Sequence, residues 1–298
     1  MGLKTTLSIL RFEFHALGAG IIAALLMAGM FYLFGNSEQD FAVLVSFAVL
    51  VFLVSLVRID LGLAILIIGM LFSPEAIVGQ AHRRIVTIRA EDLLIVALMA
   101  AWVVRSVLLG MAVRSTPLNV PILLFVIAAG ISTLGGIALP YFVDPVEAAF
   151  YVGKLIEFFA VYFFAVHFIE DEKRLHLFLG LFLLVGAAVS LYGLSQVGEV
   201  RRITAPFEGS VPEPNTFGGY LMTVIGLCIP FAVFTPYASL RFLLLAIAGI
   251  AFTALLYTLS RASFIALVGM FIVLGMLTKS RMMWLAFFIF LLVHRVIL

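Results

Sequence analysis

Apolar residues along this chain come in long unbroken runs separated by short polar breaks. The runs fall near 16–34, 41–57, 61–73, 91–109, 118–139, 148–169, 175–197, 216–235, 240–258, 261–278 and 281–298. A hydrocarbon core about 30 Å thick is crossed by roughly 20 helical residues, so the pattern predicts about eleven spans. The third run is short and follows a break at Arg58-Ile59-Asp60; a steep span and a re-entrant piece paired with the second run both fit. Continuous apolarity without period-2 alternation predicts helices rather than a barrel. The expected fold is all-α: a polytopic transmembrane helical bundle, one domain over 1–298, with no soluble domain of any size.

Composition agrees. Hydrophobic residues make up 64% of the 298 and charged residues 11%, with a mean hydropathy of +1.25. Soluble domains average roughly 45–50% apolar and about 25% charged residues, and a water-soluble globule must cover itself with polar groups. Lipid is therefore an expected partner of the chain's surface. The net charge of +2 gives no reason to expect a nucleic acid partner. Cys228 is the single cysteine, which excludes an intrachain disulfide. Near the start, Lys4 and Arg11 precede the run 16–34, but no small-x-small cleavage site precedes Asn36, so an uncleaved first span is expected rather than a signal peptide.

Lysine and arginine in the short loops predict orientation. With the N-terminus in the cytoplasm, the inner side receives Lys4, Arg11, Arg58, Arg105, Arg114, Lys173, Arg174, Arg241, Lys279 and Arg281. The segments 36–40 and 141–147, on the outer side, are acidic without a basic residue. Three outer regions break the rule: Arg83, Arg84 and Arg89, then Arg201 and Arg202, then Arg261. All are arginine, whose planar fork suits phosphate oxygens. An outward-facing phosphate or pyrophosphate site is one reading. Arginines snorkelling to outer headgroups are the other.

The longest polar stretch, 198–215, holds Pro206, Pro212, Pro214 and Gly209, which exclude a helix there. Asn215 or Thr216 is expected to start the next span, with Asn215 as its N-cap. A helix N-terminus attracts anions, and Gly218-Gly219 would let a ligand approach the backbone; an ordinary capped helix after a connecting loop fits as well. In Thr258-Leu259-Ser260-Arg261 two runs meet almost without a loop; Ser260 is expected to cap the second, with Arg261 at the outer boundary. Lys154 and Glu157, three residues apart inside a span, can pair; a structural ion pair and a polar pathway both fit. His167 and His176 are expected to flank the inner surface without a role. There is no Walker loop, dinucleotide fingerprint or Cys/His metal spacing, so no metal and no cofactor is expected, and no catalytic residue is assigned.

Three stretches taken in order carry a family resemblance: Arg202-Ile203-Thr204-Ala205-Pro206-Phe207, Pro214-Asn215-Thr216-Phe217-Gly218-Gly219-Tyr220-Leu221, and Thr258-Leu259-Ser260-Arg261-Ala262-Ser263. Together they resemble the O-antigen ligase and O-antigen polymerase superfamily: an arginine loop, a Pro-Asn helix start, and one hairpin later a Ser-Arg pair. Position 205 is Ala where that family often has Gly. The resemblance implies a multi-pass protein of the bacterial inner membrane with its active face in the periplasm. It implies a metal-independent glycosyltransferase that moves a glycan from an undecaprenyl-pyrophosphate carrier to lipid A-core, a growing polysaccharide or another lipid or glycan acceptor. On that reading Arg202 and Arg261 bind the pyrophosphate, Asn215 shapes the loop, and Arg201, Arg83 and Arg84 assist. The family also has a large periplasmic loop with a catalytic histidine beyond the last span, so residues 1–298 are expected to be the N-terminal and central part of such a protein. A small-solute transporter and a non-catalytic membrane subunit are the other functional readings.

Overall fold

The computed structural model describes residues 40–70, 75–81, 84–109, 114–139, 145–206 and 213–279, together with 281, 284 and 288. Among them are nine α-helices and one β-hairpin. They fall into two compact units, Met1–Phe178 and Leu179–Leu298.

In the first unit, α1 (Asp40–Val57) and α2 (Ile59–Gly69) meet at Arg58, whose guanidinium pairs with Asp60 at 2.9 Å. Gly62 makes the fold-back possible: a Cβ there would lie 2.1 Å from Ser55 Oγ. The hairpin follows, β1 (Glu75–Ala81) against β2 (Arg84–Arg89), antiparallel with Glu75 opposite Arg89 and a bulge between Ile77 and Gly79. Its second strand contains Ile85, Val86, Thr87 and Ile88, β-branched residues that favour extended backbone. The hairpin is a departure from the all-helical fold that the apolar runs predict. Next come α3 (Ala90–Leu109), α4 (Asn119–Ala138) and α5 (Pro145–Phe168). Asp92, in the first turn of α3, accepts the Arg89 amide at 2.9 Å, one half of a capping box. The unit's core is Leu44, Phe47, Val51, Leu63, Leu66, Leu94, Leu98, Ala101 and Phe164, at the mutual contacts of α1, α2, α3 and α5. α4 packs on α5 and buries no residue.

α6 (Glu172–Ser195) starts in the first unit and runs into the second. The second unit continues with α7 (Pro214–Phe234), α8 (Ala238–Thr258) and α9 (Arg261–Thr278). α7 packs along α8 on one side and α9 on the other, through Leu221, Val224, Ile225, Cys228, Ala251, Leu255, Leu267 and Phe271, all buried. Arginines satisfy several helix C-termini, where carbonyls lack intrahelical partners: Arg105 bonds Leu56 O, Arg174 bonds Phe168 O, and Arg241 bonds Ala232 O and Thr235 O.

Among the described residues six helices are long and apolar enough to cross a membrane: Asn119–Ala138, Glu147–Phe168, Glu172–Ser195, Pro214–Phe234, Ala238–Thr258 and Arg261–Thr278. The outer faces of these helices, with Phe125, Phe158, Phe242 and Ile265 exposed, suit contact with lipid. The described residues do not reach the eleven spans expected. Run 16–34 and nearly all of 281–298 lie outside them, 41–57 and 61–73 fall on α1 and α2, where the described apolar segments, Leu44–Val57 and Ile59–Gly69, are shorter, and 91–109 falls on α3, which is not among the six.

Candidate functional site

The residues singled out in the second unit converge at one end of α7, α8 and α9. After α6 the chain turns through Gly198, at φ +95, where a residue without a Cβ is favoured. The Gln196 side chain then clamps the returning strand of chain from both sides. Its amide nitrogen donates to Thr204 O at 2.9 Å and its oxygen accepts from Thr204 N at 3.2 Å. Between these points Ile203 is inserted into the core, and its own amide donates to Tyr257 O at 3.2 Å. A Cβ on Gly193 would meet both Ile203 and Phe217, which shows how closely this plug is seated against α6.

That seating fixes Arg202. Its Nε donates to Thr258 O at 2.8 Å, the last carbonyl of α8, and its Nη2 donates to Asn215 Oδ1 at 3.0 Å, in the first turn of α7. One guanidinium thus ties a helix C-terminus to a helix N-terminus. Two of its five donors are used, and the other three have no partner among the described residues.

Asn215 is not the cap that was expected. The cap lies two residues earlier, with Glu213 in the cap position and Pro214 at the first helical position, where a missing N–H costs nothing. Glu213 instead accepts the Thr216 hydroxyl at 2.8 Å, and the Asn215 side chain is left for Arg202.

The α8–α9 turn closes the ring. Leu259 takes a left-handed conformation, φ 49 and ψ 32, a costly one for a residue with a Cβ. Two residues, Leu259 and Ser260, then suffice to reverse the chain. Ser260 caps α9 as expected, its side chain accepting from Ser263 N at 3.3 Å, and the two hydroxyls share a hydrogen bond of 2.8 Å. Both serines are buried. Ser263 Oγ also reaches Asn215 O at 3.5 Å. Gly218 is required here: a Cβ would stand 2.5 Å from Ser263 Oγ and 3.0 Å from its Cβ.

Arg261 is the first residue of α9; it and Arg201 are exposed and have no bonded partner among the described residues. The Arg261 and Ala262 amides, in the first turn of α9, likewise lack a described acceptor, as first-turn amides do. Arg83 lies outside the described residues. Arg84 opens β2 opposite Ala81, in the first unit, and its side chain lies outside the described residues.

No family model, curated protein or solved structure matches the chain. The site is therefore characterised by its own geometry: three arginines, two helix N-termini, and no group of His, Cys, Asp or Glu among the described residues that could hold a metal ion.

A second polar cluster lies in the first unit. Lys154 pairs with Glu157 at 3.4 Å, as their spacing predicted, and also with Asp92 on α3. Asp92 is not legible in this role from the sequence, because nothing in a single helix's spacing reveals a partner on another helix. Phe150 lies under the Lys154 ammonium at 5.6 Å.

Proposed function

We propose that the Arg202 end of the second unit is an outward-facing phosphate-recognition site, and that the protein is a membrane glycosyltransferase of the O-antigen ligase and polymerase type. Its donor on this reading is a glycan on an undecaprenyl-pyrophosphate carrier, and its acceptor lipid A-core or a growing polysaccharide at the periplasmic face of the bacterial inner membrane. The observation that carries this is the junction itself. Arg202 joins the end of α8 to the start of α7 and keeps three N–H donors unbonded among the described residues. Arg201 precedes it, Arg261 opens α9, and the first amides of α9 lack described acceptors. Preorganised donors of this kind stabilise charge developing on a pyrophosphate leaving group without reorganising at the moment of reaction. The order of the three motif stretches supports the same reading.

Binding of undecaprenyl pyrophosphate to the full chain in detergent tests it. Arg261→Ala and Arg201→Ala leave every described hydrogen bond intact, so weaker binding in both, with unchanged thermal stability, is the expected result. Equal binding in wild type and both variants would overturn the assignment and leave headgroup anchoring as the account of these arginines. The Asp92–Lys154–Glu157 cluster favours small-solute transport as the second reading, because ionisable groups inside a bundle often line a pathway; substrate flux in vesicles holding only this protein would support it.

A further inference from the structure

His167 sits in the last turn of α5, buried, and it holds the segment of chain that leads into α4. Its Nε2 accepts the backbone N–H of Arg114 at 2.7 Å, and its Nδ1 lies 2.8 Å from Phe163 O, one turn back. A carbonyl oxygen can only accept, so Nδ1 carries a proton and donates. An amide N–H can only donate, so Nε2 carries none. The two contacts together specify one state of the ring: neutral, with its proton on Nδ1. Trp102 on α3 packs against the imidazole at 4.6 Å between ring centroids. The Arg114 side chain reinforces the closure, bonding Val166 O at 3.2 Å and Glu170 at 3.1 Å.

We propose that His167 is a pH-sensitive latch on the segment before α4, closed when the imidazole is neutral and released when it is protonated. A second proton on Nε2 turns an acceptor into a donor facing the Arg114 N–H, and the contact is lost. Arg114 lies directly alongside, and Arg174 is bonded to Phe168 O. Glu170, the carboxylate nearest in sequence, already bonds both Arg114 and Arg174, and Asp171 accepts the Arg174 amide. Glu172, Lys173 and His176 are exposed on α6. Of the helices packed on α5, α4 has no ionisable residue. α2 offers Asp60, paired with Arg58, and α3 offers Arg105, bonded to α1 carbonyls, with Glu91 and Asp92 at its other end. Glu147, Lys154 and Glu157 lie earlier on α5 itself. The sign follows. The closed form binds no proton at Nε2 and the released form binds one, so closure weakens as pH falls.

Hydrogen exchange at the Arg114 amide in the full chain reads the latch directly, after correction for the intrinsic pH dependence of exchange. Protection is expected to fall between pH 7.5 and 5.5 in wild type, to show no pH dependence in His167→Gln, and to be lost at both pH values in His167→Ala. Nitrogen spectra of labelled histidine provide a check that needs no variant: at pH 7.5 His167 should carry its proton on Nδ1. Protection that does not change with pH in wild type, pH dependence surviving in His167→Gln, or a proton on Nε2 at pH 7.5 would each overturn the proposal.

Discussion

Replacing Arg202 tests whether the site is held together by the residue also proposed to bind its ligand. Arg202→Ala removes two charge-assisted hydrogen bonds, one to Thr258 O and one to Asn215 Oδ1. Bonds to charged groups contribute about 1.5–3 kcal/mol when their partner cannot rehydrate. Asn215 is exposed, so water can replace the guanidinium there at little cost. Thr258 is fully buried, so its carbonyl is stranded at the end of α8, and the net loss is about 2 kcal/mol. Arg202→Lys keeps the charge but offers no planar fork, and it should lose about half as much. Cys228, buried in the middle of α7, supplies the assay: a thiol-reactive dye labels it only when the second unit opens. The unfolding midpoint of Arg202→Ala should fall by roughly 4–8 °C, with Arg202→Lys between it and wild type. Arg261→Ala, which breaks no described bond, should stay within about 0.5 kcal/mol of wild type. An Arg202→Ala midpoint indistinguishable from that of Arg261→Ala would refute the argument that Arg202 ties the helix ends together. It would also mean that lost ligand binding in Arg202→Ala could be assigned to the ligand contact alone.

Two other perturbations follow from contacts already described. Gly218→Ala pushes a methyl group against Ser263 and should cost about 1–3 kcal/mol, while adding Ser263→Gly should restore most of that loss in the same dye assay. Lys154→Met leaves Asp92 and Glu157 facing each other without their shared cation and should cost about 3 kcal/mol; adding Glu157→Gln should recover part of it, and a double variant less stable than Lys154→Met would contradict the coupling.

Much of the helical layout can be read from the chain because an apolar run about as long as a bilayer is thick has few alternatives. The Lys154–Glu157 pair and the Ser260 cap were equally accessible, since both depend on spacing within one helix or at its start. The limits appear where two distant segments meet. Asp92 joins Lys154 across 62 residues, and Gln196 clamps Thr204 through an amide that mimics a neighbouring strand. Asn215 had two uses open to it, cap or Arg202 partner, and local sequence favours the first. Pro214 decides otherwise, because proline fits the first helical position and moves the cap back by two residues, to Glu213. The hairpin at 75–89 was missed for a different reason. Its apolar stretches are too short to separate from an ordinary loop, and strands of that length leave only a weak pattern.

The turn at Leu259 and Ser260 has no spare residue. Thr258 ends one helix, its carbonyl held by Arg202, and Arg261 begins the next. One inserted residue would rotate α9 by about 100° relative to its present phase, turning Phe264, Leu267 and Phe271 away from α7. The cation at this end is therefore geared to the packing of a whole helix. Side chains at the junction can be exchanged one for another, but its length cannot change without unseating α9, so variation that preserves the fold is confined here to substitution.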